Sequence, residues 1–216
     1  MKRGHLMSIN LQLIKKDQLT TSLWSGGKTT QLAIYPESSI YSDRNFIWRL
    51  SSAVVEVKSS DFTPLPGIER VIMILDGTLN LKHEGHYATE LKPFDKDHFS
   101  GSWKTSSTGQ VTDFNLMTKE GCLADLTALH INSNASVHLE KVNLNTSDDA
   151  PHMRTEAFYC VNHSVTATLQ DKSFDLSSGD ILIITFNRND NINDIQFKTS
   201  GENTSDVVQA SILYTV

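Results

Sequence analysis

A chain of 216 residues, 38% of them hydrophobic, is long enough to bury one or two cores without disulfide or metal staples. Its formal net charge of −6 gives no basic footprint for a phosphate backbone, so nucleic-acid binding is not the leading reading. Cys122 and Cys160 lie far apart and outside any CxxC, which argues against a disulfide framework and a thiolate zinc site.

No apolar stretch has the length that spans a bilayer. Residues 1–7 are charged but lack the apolar core of a secretion signal. A cytoplasmic protein is expected, starting at Met1 or Met7. Short runs rich in β-branched and aromatic residues recur between turn residues, and no long amphipathic helix interrupts them. Residues 11–19 suit a strand and a short turn. Trp24-Ser25-Gly26-Gly27-Lys28-Thr29-Thr30 contains a Gly-Lys-Thr, but a phosphate-cradling loop needs a glycine where Ser22 stands and an apolar helix afterwards. The expectation is a Gly-Gly corner feeding a strand over 31–35, with Lys28 open to pointing into a site.

Residues 46–57 form the next predicted strand. Period two puts Arg49, Ser51 and Ala53 on one face, and Trp48, Leu50 and Ser52 on the other. A guanidinium turned inward needs an anionic partner. An internal carboxylate or a ligand carboxylate held in bidentate fashion would supply it; a surface or structural arginine is the other reading. The turn Phe62-Thr63-Pro64-Leu65-Pro66-Gly67-Ile68-Glu69-Arg70 is stiffened by two prolines and sets Arg70 at the entrance of a strand over 71–75. A turn at Asp76-Gly77 leads to a strand over 78–82. His83 and His86 straddle Glu84-Gly85 at an expected hairpin tip, a poor place for an interior ligand pair. His98, beside Phe99-Ser100-Gly101, suits a hydrogen bond to a ligand or an ordinary polar surface. Alternation in Asp113-Phe114-Asn115-Leu116-Met117 turns Asp113, Asn115 and Met117 to one face, lining a polar pocket or, alternatively, sitting on an edge strand that caps a turn.

Further strands are expected at 126–131, 137–144, 157–161, 165–169 and 181–186. Two segments repeat each other. Val71-Ile72-Met73-Ile74-Leu75 meets Asp76-Gly77 and an alternating strand, and Ala157-Phe158-Tyr159-Cys160-Val161 meets Asn162-His163 and another. The break falls near Lys119-Glu120-Gly121, giving domains 1–120 and 121–216. Trp24, Trp48 and Trp103 all precede it, which points to the first half as the carrier of a pocket. No Gly-x-Ser-x-Gly elbow or catalytic dyad stands out, so no catalytic residue, metal or cofactor is expected.

Phe158-Tyr159-Cys160-Val161, the turn after it, Val165-Thr166-Ala167-Thr168-Leu169 and the Gly179-Asp180 before an apolar strand look like a cupin barrel. The chain as a whole resembles the HutD/Ves family of bicupin proteins. The resemblance is carried by the Trp24–Thr30 motif, Trp48-Arg49-Leu50-Ser51 with Ala53, the Phe62–Arg70 turn, Phe99-Ser100-Gly101 and Asp113-Phe114-Asn115-Leu116-Met117. It implies an all-β double cupin, two β-barrels with few short helices, and no required metal. The His-x-His, Glu and later His of metal cupins are missing, and His152 with Glu156 is a pair rather than a site. It further implies a role in bacterial histidine utilisation, binding an intermediate such as N-formylglutamate or urocanate and limiting the pathway. Carried over by motif, Arg49 and Arg70 would hold the anion, and Trp48, Ser51, His98, Phe99, Asn115 and Met117 would shape the pocket. The expected function is a non-enzymatic regulator whose partner is a small acidic ligand rather than nucleic acid or membrane. The alternatives are a metal-dependent or acid–base cupin enzyme acting on a small organic acid, and an interaction module whose second barrel pairs as a homodimer.

Overall fold

Alternating apolar and polar side chains dominate the chain, and the computed structural model resolves them into strands. It describes residues 9–139, 152–190, 192, 194–199 and 203–215. The strands are β1 (Asn10–Ile14), β2 (Thr20–Trp24), β3 (Gly27–Tyr35), β4 (Trp48–Val55), β5 (Ser59–Asp61), β6 (Ile68–Gly77), β7 (Leu79–His83), β8 (Ala88–Leu91), β9 (Lys96–Ser100), β10 (Thr105–Thr108) and β11 (Val111–Lys119). They continue as β12 (Leu123–Ile131), β13 (Asn134–Val137), β14 (His152–Cys160), β15 (Ser164–Leu169), β16 (Lys172–Ser177), β17 (Ile181–Asn187), β18 (Ile195–Thr199) and β19 (Ser205–Thr215). Among the described residues the only helical pieces are single 3₁₀ turns at Lys16–Gln18 and Tyr41–Asp43. No helix among them is long and apolar enough to cross a membrane.

The chain divides into two units. The first is Leu19–Leu126; the second takes the chain up to Gln18 and again from Thr127 on. This differs from a split into 1–120 and 121–216, because β1 is an edge strand of the second unit, paired antiparallel with β17. Leu11 and Leu13 pack against that unit's core, and the Lys15 ammonium contacts the Asp180 carboxylate at 2.7 Å.

In the first unit a six-stranded sheet, β2-β3-β4-β11-β6-β9, faces a four-stranded one, β5-β10-β7-β8. Ile72 and Ile74 of β6 and Phe99 of β9 meet Leu79 and Leu81 of β7 and Leu91 of β8 in the core between them. The second unit has a five-stranded sheet, β1-β17-β14-β19-β12, and a four-stranded sheet, β13-β18-β15-β16. Phe158, Leu182, Ile184 and Phe186 pack there on Val165, Leu176, Ile195 and Phe197.

The repeated turns are corners rather than hairpin tips. Gly77, at φ +85°, and His163, at φ +52°, carry the chain from one sheet to the other. β13 starts and ends earlier than the strand expected over 137–144, much of which lies outside the described residues. β11 is central, between β4 and β6, so the edge-strand reading of residues 113–117 does not hold. The Gly-Gly corner does form: β2 and β3 pair through Trp24 and Gly27. A Cβ on Gly27 would lie 2.0 Å from the Val54 carbonyl oxygen, so only glycine lets this hairpin close onto β4.

Candidate functional site

The inward face of the six-stranded sheet is built in rows. Met117 of β11 stands opposite Arg49 of β4 on one side and Arg70 of β6 on the other. One register step along, Asn115 stands between Ser51 and Ile72, with Gln31 of β3 beyond Ser51. A further step places Asp113 between Ala53 and Ile74. A cavity of about 590 Å³ opens over these rows. Leu23, Trp24 and Tyr41, all exposed, border it as well.

Both arginines are buried, each 6% exposed. Arg49 donates from Nε to Gln31 Oε1 at 2.9 Å and from Nη1 to Ser51 Oγ at 3.0 Å. Its guanidinium lies 4.2 Å from the centre of the Tyr41 ring. Arg70 donates from Nη2 to Asn115 Oδ1 at 3.3 Å and is flanked by the rings of Phe62, at 4.6 Å, and Phe99, at 5.3 Å. Its buried Nε has no hydrogen-bond partner among the described residues. Among the described residues, every side-chain acceptor these two groups reach is neutral.

Burial disfavours both charges. The Arg49 guanidinium is held below its ordinary value, and that of Arg70 is lowered to about 10 by burial, with the nearby Arg49 charge adding to the effect. Both remain cationic at neutral pH. Burial pushes the Asp113 carboxyl up to about 7, against the Asn115 hydrogen bond and the Arg70 charge, which favour its ionised form. The cavity therefore holds two buried positive charges and the Asp113 carboxyl, pushed up to about 7, with the exposed Asp61 also on its lining. An incoming anion is the chemically matched occupant.

Of the residues expected at the site, Arg49, Arg70, Ser51, Asn115 and Met117 line this cavity together. Trp48 does not. It lies on the opposite face of β4, where period two puts it, stacked on Tyr35 with ring centres 5.7 Å apart. His98 is also elsewhere: the Nε2 of this exposed residue lies 3.0 Å from Asp125 Oδ1, and it borders a second cavity of about 300 Å³ that meets the larger one only at Arg70. Phe99 is buried beneath Arg70 and supports the guanidinium without lining the larger cavity. Lys28 is exposed. Gln31, Tyr41 and Phe62 are the additions. Phe62 and Gln31 lay in segments already singled out, whereas Tyr41 sits in an irregular turn with no periodic signal. Asp113 shares a face with Asn115 by strand period and joins the lining of the cavity.

His83, expected near a hairpin tip, is buried, with Nδ1 2.8 Å from Thr105 Oγ1 and Nε2 2.8 Å from Asp97 Oδ2. No group of three His, Cys, Asp or Glu among the described residues is placed to hold a metal. Both cysteines are free. Burial raises both thiols, that of Cys160 to about 12, which disfavours a nucleophilic thiolate. In the second unit Glu156 accepts from Arg154 Nε at 2.6 Å, Gln209 Nε2 at 2.8 Å and Ser211 Oγ at 2.7 Å, so it forms a buried ion pair rather than a ligand set with His152.

A family model described as HutD matches residues 16–205. Protein Ves of Escherichia fergusonii is 29% identical over 109 residues, 47% of this chain and 54% of that protein, so the match spans about half the length of this curated relative. Among solved structures, a conserved protein of unknown function from Pseudomonas aeruginosa PAO1 superposes with a TM-score of 0.76 at 21% identity, over 94% of this chain and 98% of that one. HutD from Pseudomonas fluorescens SBW25 gives 0.65 at 20% identity, over 93% and 98%. Oxalate decarboxylase of Bacillus subtilis gives 0.60 at 7% identity, over 99% and 81%. Identities this low speak to fold alone, and the fold is an all-β cupin.

Proposed function

The chain belongs to the HutD family, and on that premise we propose that it is a non-enzymatic binding protein for a small carboxylate, associated with histidine utilisation. The observation that carries this reading is the pair of buried guanidinium groups in one cavity, hydrogen-bonded only to neutral side chains. A ligand carboxylate would pair with the Arg70 guanidinium and draw on Arg49 from β4, across β11. Two charge-assisted hydrogen bonds of about 1.5–3 kcal/mol each support micromolar to millimolar affinity after the cost of immobilising the ligand. Asn115, Ser51 and Gln31 orient the guanidinium planes from the second row. A pathway intermediate such as N-formylglutamate or urocanate offers the required anion, and binding it would make the protein a regulator that reads the intermediate's concentration.

Isothermal titration with both acids tests the reading. Binding is expected for the wild type and lost in Arg49→Ala and Arg70→Ala, with both variants still giving the β-sheet circular dichroism of the parent. Absence of heat with every small carboxylate tried, confirmed by unchanged amide NMR spectra, would overturn it.

A further inference from the structure

Asp113 is a fully buried acid in the same cavity, and anion binding by the arginines alone leaves it without a task. We propose that the cavity takes up its anion together with a proton, and that Asp113 is the group that receives the proton. This rests on the reading of the cavity as an anion site and deepens it. Three observations support it.

Asp113 is connected to the anion-binding groups. Its Oδ1 accepts from Asn115 Nδ2 at 2.5 Å, and Asn115 Oδ1 accepts from Arg70 Nη2 at 3.3 Å. Asp113 also makes no direct ion pair: its hydrogen bonds come from neutral amides, the Asn115 side chain and the Ala53 backbone, and the Arg70 charge acts on it only at a distance. The charged and titratable groups that share the cavity are Arg49 from β4, Arg70 from β6, Asp61 at the end of β5 and Tyr41 from the loop before β4. The other strands around the cavity contribute neutral groups such as Thr29, Gln31 and Ser107. Among the described residues no histidine lines it.

With the cavity empty, the field of two guanidinium groups partly offsets the cost of burying the Asp113 charge. A bound carboxylate cancels that field and adds a like charge in a desolvated space. Both effects favour the protonated acid. By reciprocity, protonating Asp113 strengthens anion binding by the same factor. The proton comes from solvent and rests on a carboxyl oxygen, which then becomes a hydrogen-bond donor. The cavity would thus favour an anion that also carries a neutral acceptor, a carbonyl or hydroxyl, at the end away from the arginines.

Formate is the probe, since it stays ionised across the range that matters. The ¹³C signal of the Asp113 carboxyl is followed from about pH 5.5 to about pH 8.5 with and without saturating formate, and the formate Kd is measured at both ends from amide shifts. The carboxyl, which titrates near 7 in the empty cavity, is expected to move up by about one unit, and the Kd to weaken about tenfold over the range. Asp113→Asn, which imitates the neutral acid, is expected to bind formate at about pH 8.5 as tightly as the wild type does at about pH 5.5. Formate binding with a flat Kd and an unmoved carboxyl signal would overturn the proton linkage while leaving the anion site standing. No formate binding at either pH would overturn both. The carboxyl titration is made on the wild type, so a poorly folding variant would not obscure the result.

Discussion

Each unit buries an arginine on the strand that leads into its corner, and the two treat its charge in opposite ways. Arg70 lies on β6 opposite Met117 of β11, and Arg154 lies on β14 opposite Leu213 of β19. Two residues further along each strand, the next side chain on the same face is Ile72 in the first unit and Glu156 in the second. With the corners aligned, Arg70 falls at the place of Glu156 rather than of Arg154, since Ile74 and Cys160 are equivalent, their amides donating to the carbonyls of Asp95 and Asp180. In the second unit Glu156 binds Arg154 and takes further hydrogen bonds from Gln209 and Ser211, so the interior supplies its own anion. In the first unit Ile72 joins the apolar core and the acceptor near Arg70 is a neutral amide. The same fold holds an arginine paired with an internal carboxylate in one barrel and an arginine with a neutral acceptor in the other.

The comparison breaks most visibly at Arg154. Arg154→Met would leave the Glu156 carboxylate buried with only neutral donors, and a loss of about 3–5 kcal/mol is expected. Urea unfolding reads this directly, and a change below about 1 kcal/mol would mean that Glu156 is not held as an ion. The matched variant in the first unit moves stability the other way. Arg70→Met removes a buried cation whose one side-chain acceptor is the neutral Asn115 amide, with Asp113 acting on it only at a distance, and fills the space between Phe62 and Phe99 with a flexible apolar chain. Stability is expected to rise by roughly 1 kcal/mol while carboxylate binding is lost. A protein destabilised by this change would show that the interior uses the Arg70 charge, and the contrast between the two units would fail.

The polar interior of the first unit was partly legible in the sequence because strand period is a strict rule. Arg49, Ser51 and Ala53 had to share one face, as did Asp113, Asn115 and Met117. Which face pointed inward was not legible from either strand alone; it depends on the register that aligns Met117 with both arginines. Trp48 shows the cost of taking a motif as a block, since its neighbour in sequence is opposite to it in space. His98 and Phe99 repeat the lesson on β9. Tyr41 had no signal at all, because a residue in an irregular loop is placed by tertiary packing, with no periodicity to reveal it. The edge strand β1 joins the second unit for a similar reason: strand pairing, here with β17, follows no distance along the chain.

The smallest expected effect tests that lesson on β4 itself. Trp48 and Arg49 are adjacent in the chain, and the two faces of the strand predict opposite consequences for changing them. Trp48→Phe keeps an aromatic ring against Tyr35 and shortens a side chain that is 3% exposed and directed away from the cavity. The cost is packing, about 1 kcal/mol of stability, from a ring smaller than the space it fills. Carboxylate affinity should stay within about twofold of the wild type, because no atom of Trp48 lines the cavity. Titration calorimetry on this variant beside Arg49→Ala separates the faces. If Trp48→Phe weakens binding as strongly as the arginine variant does, the register that turns Arg49 inward is wrong, and the row of Arg49, Met117 and Arg70 on which the anion site depends is lost with it.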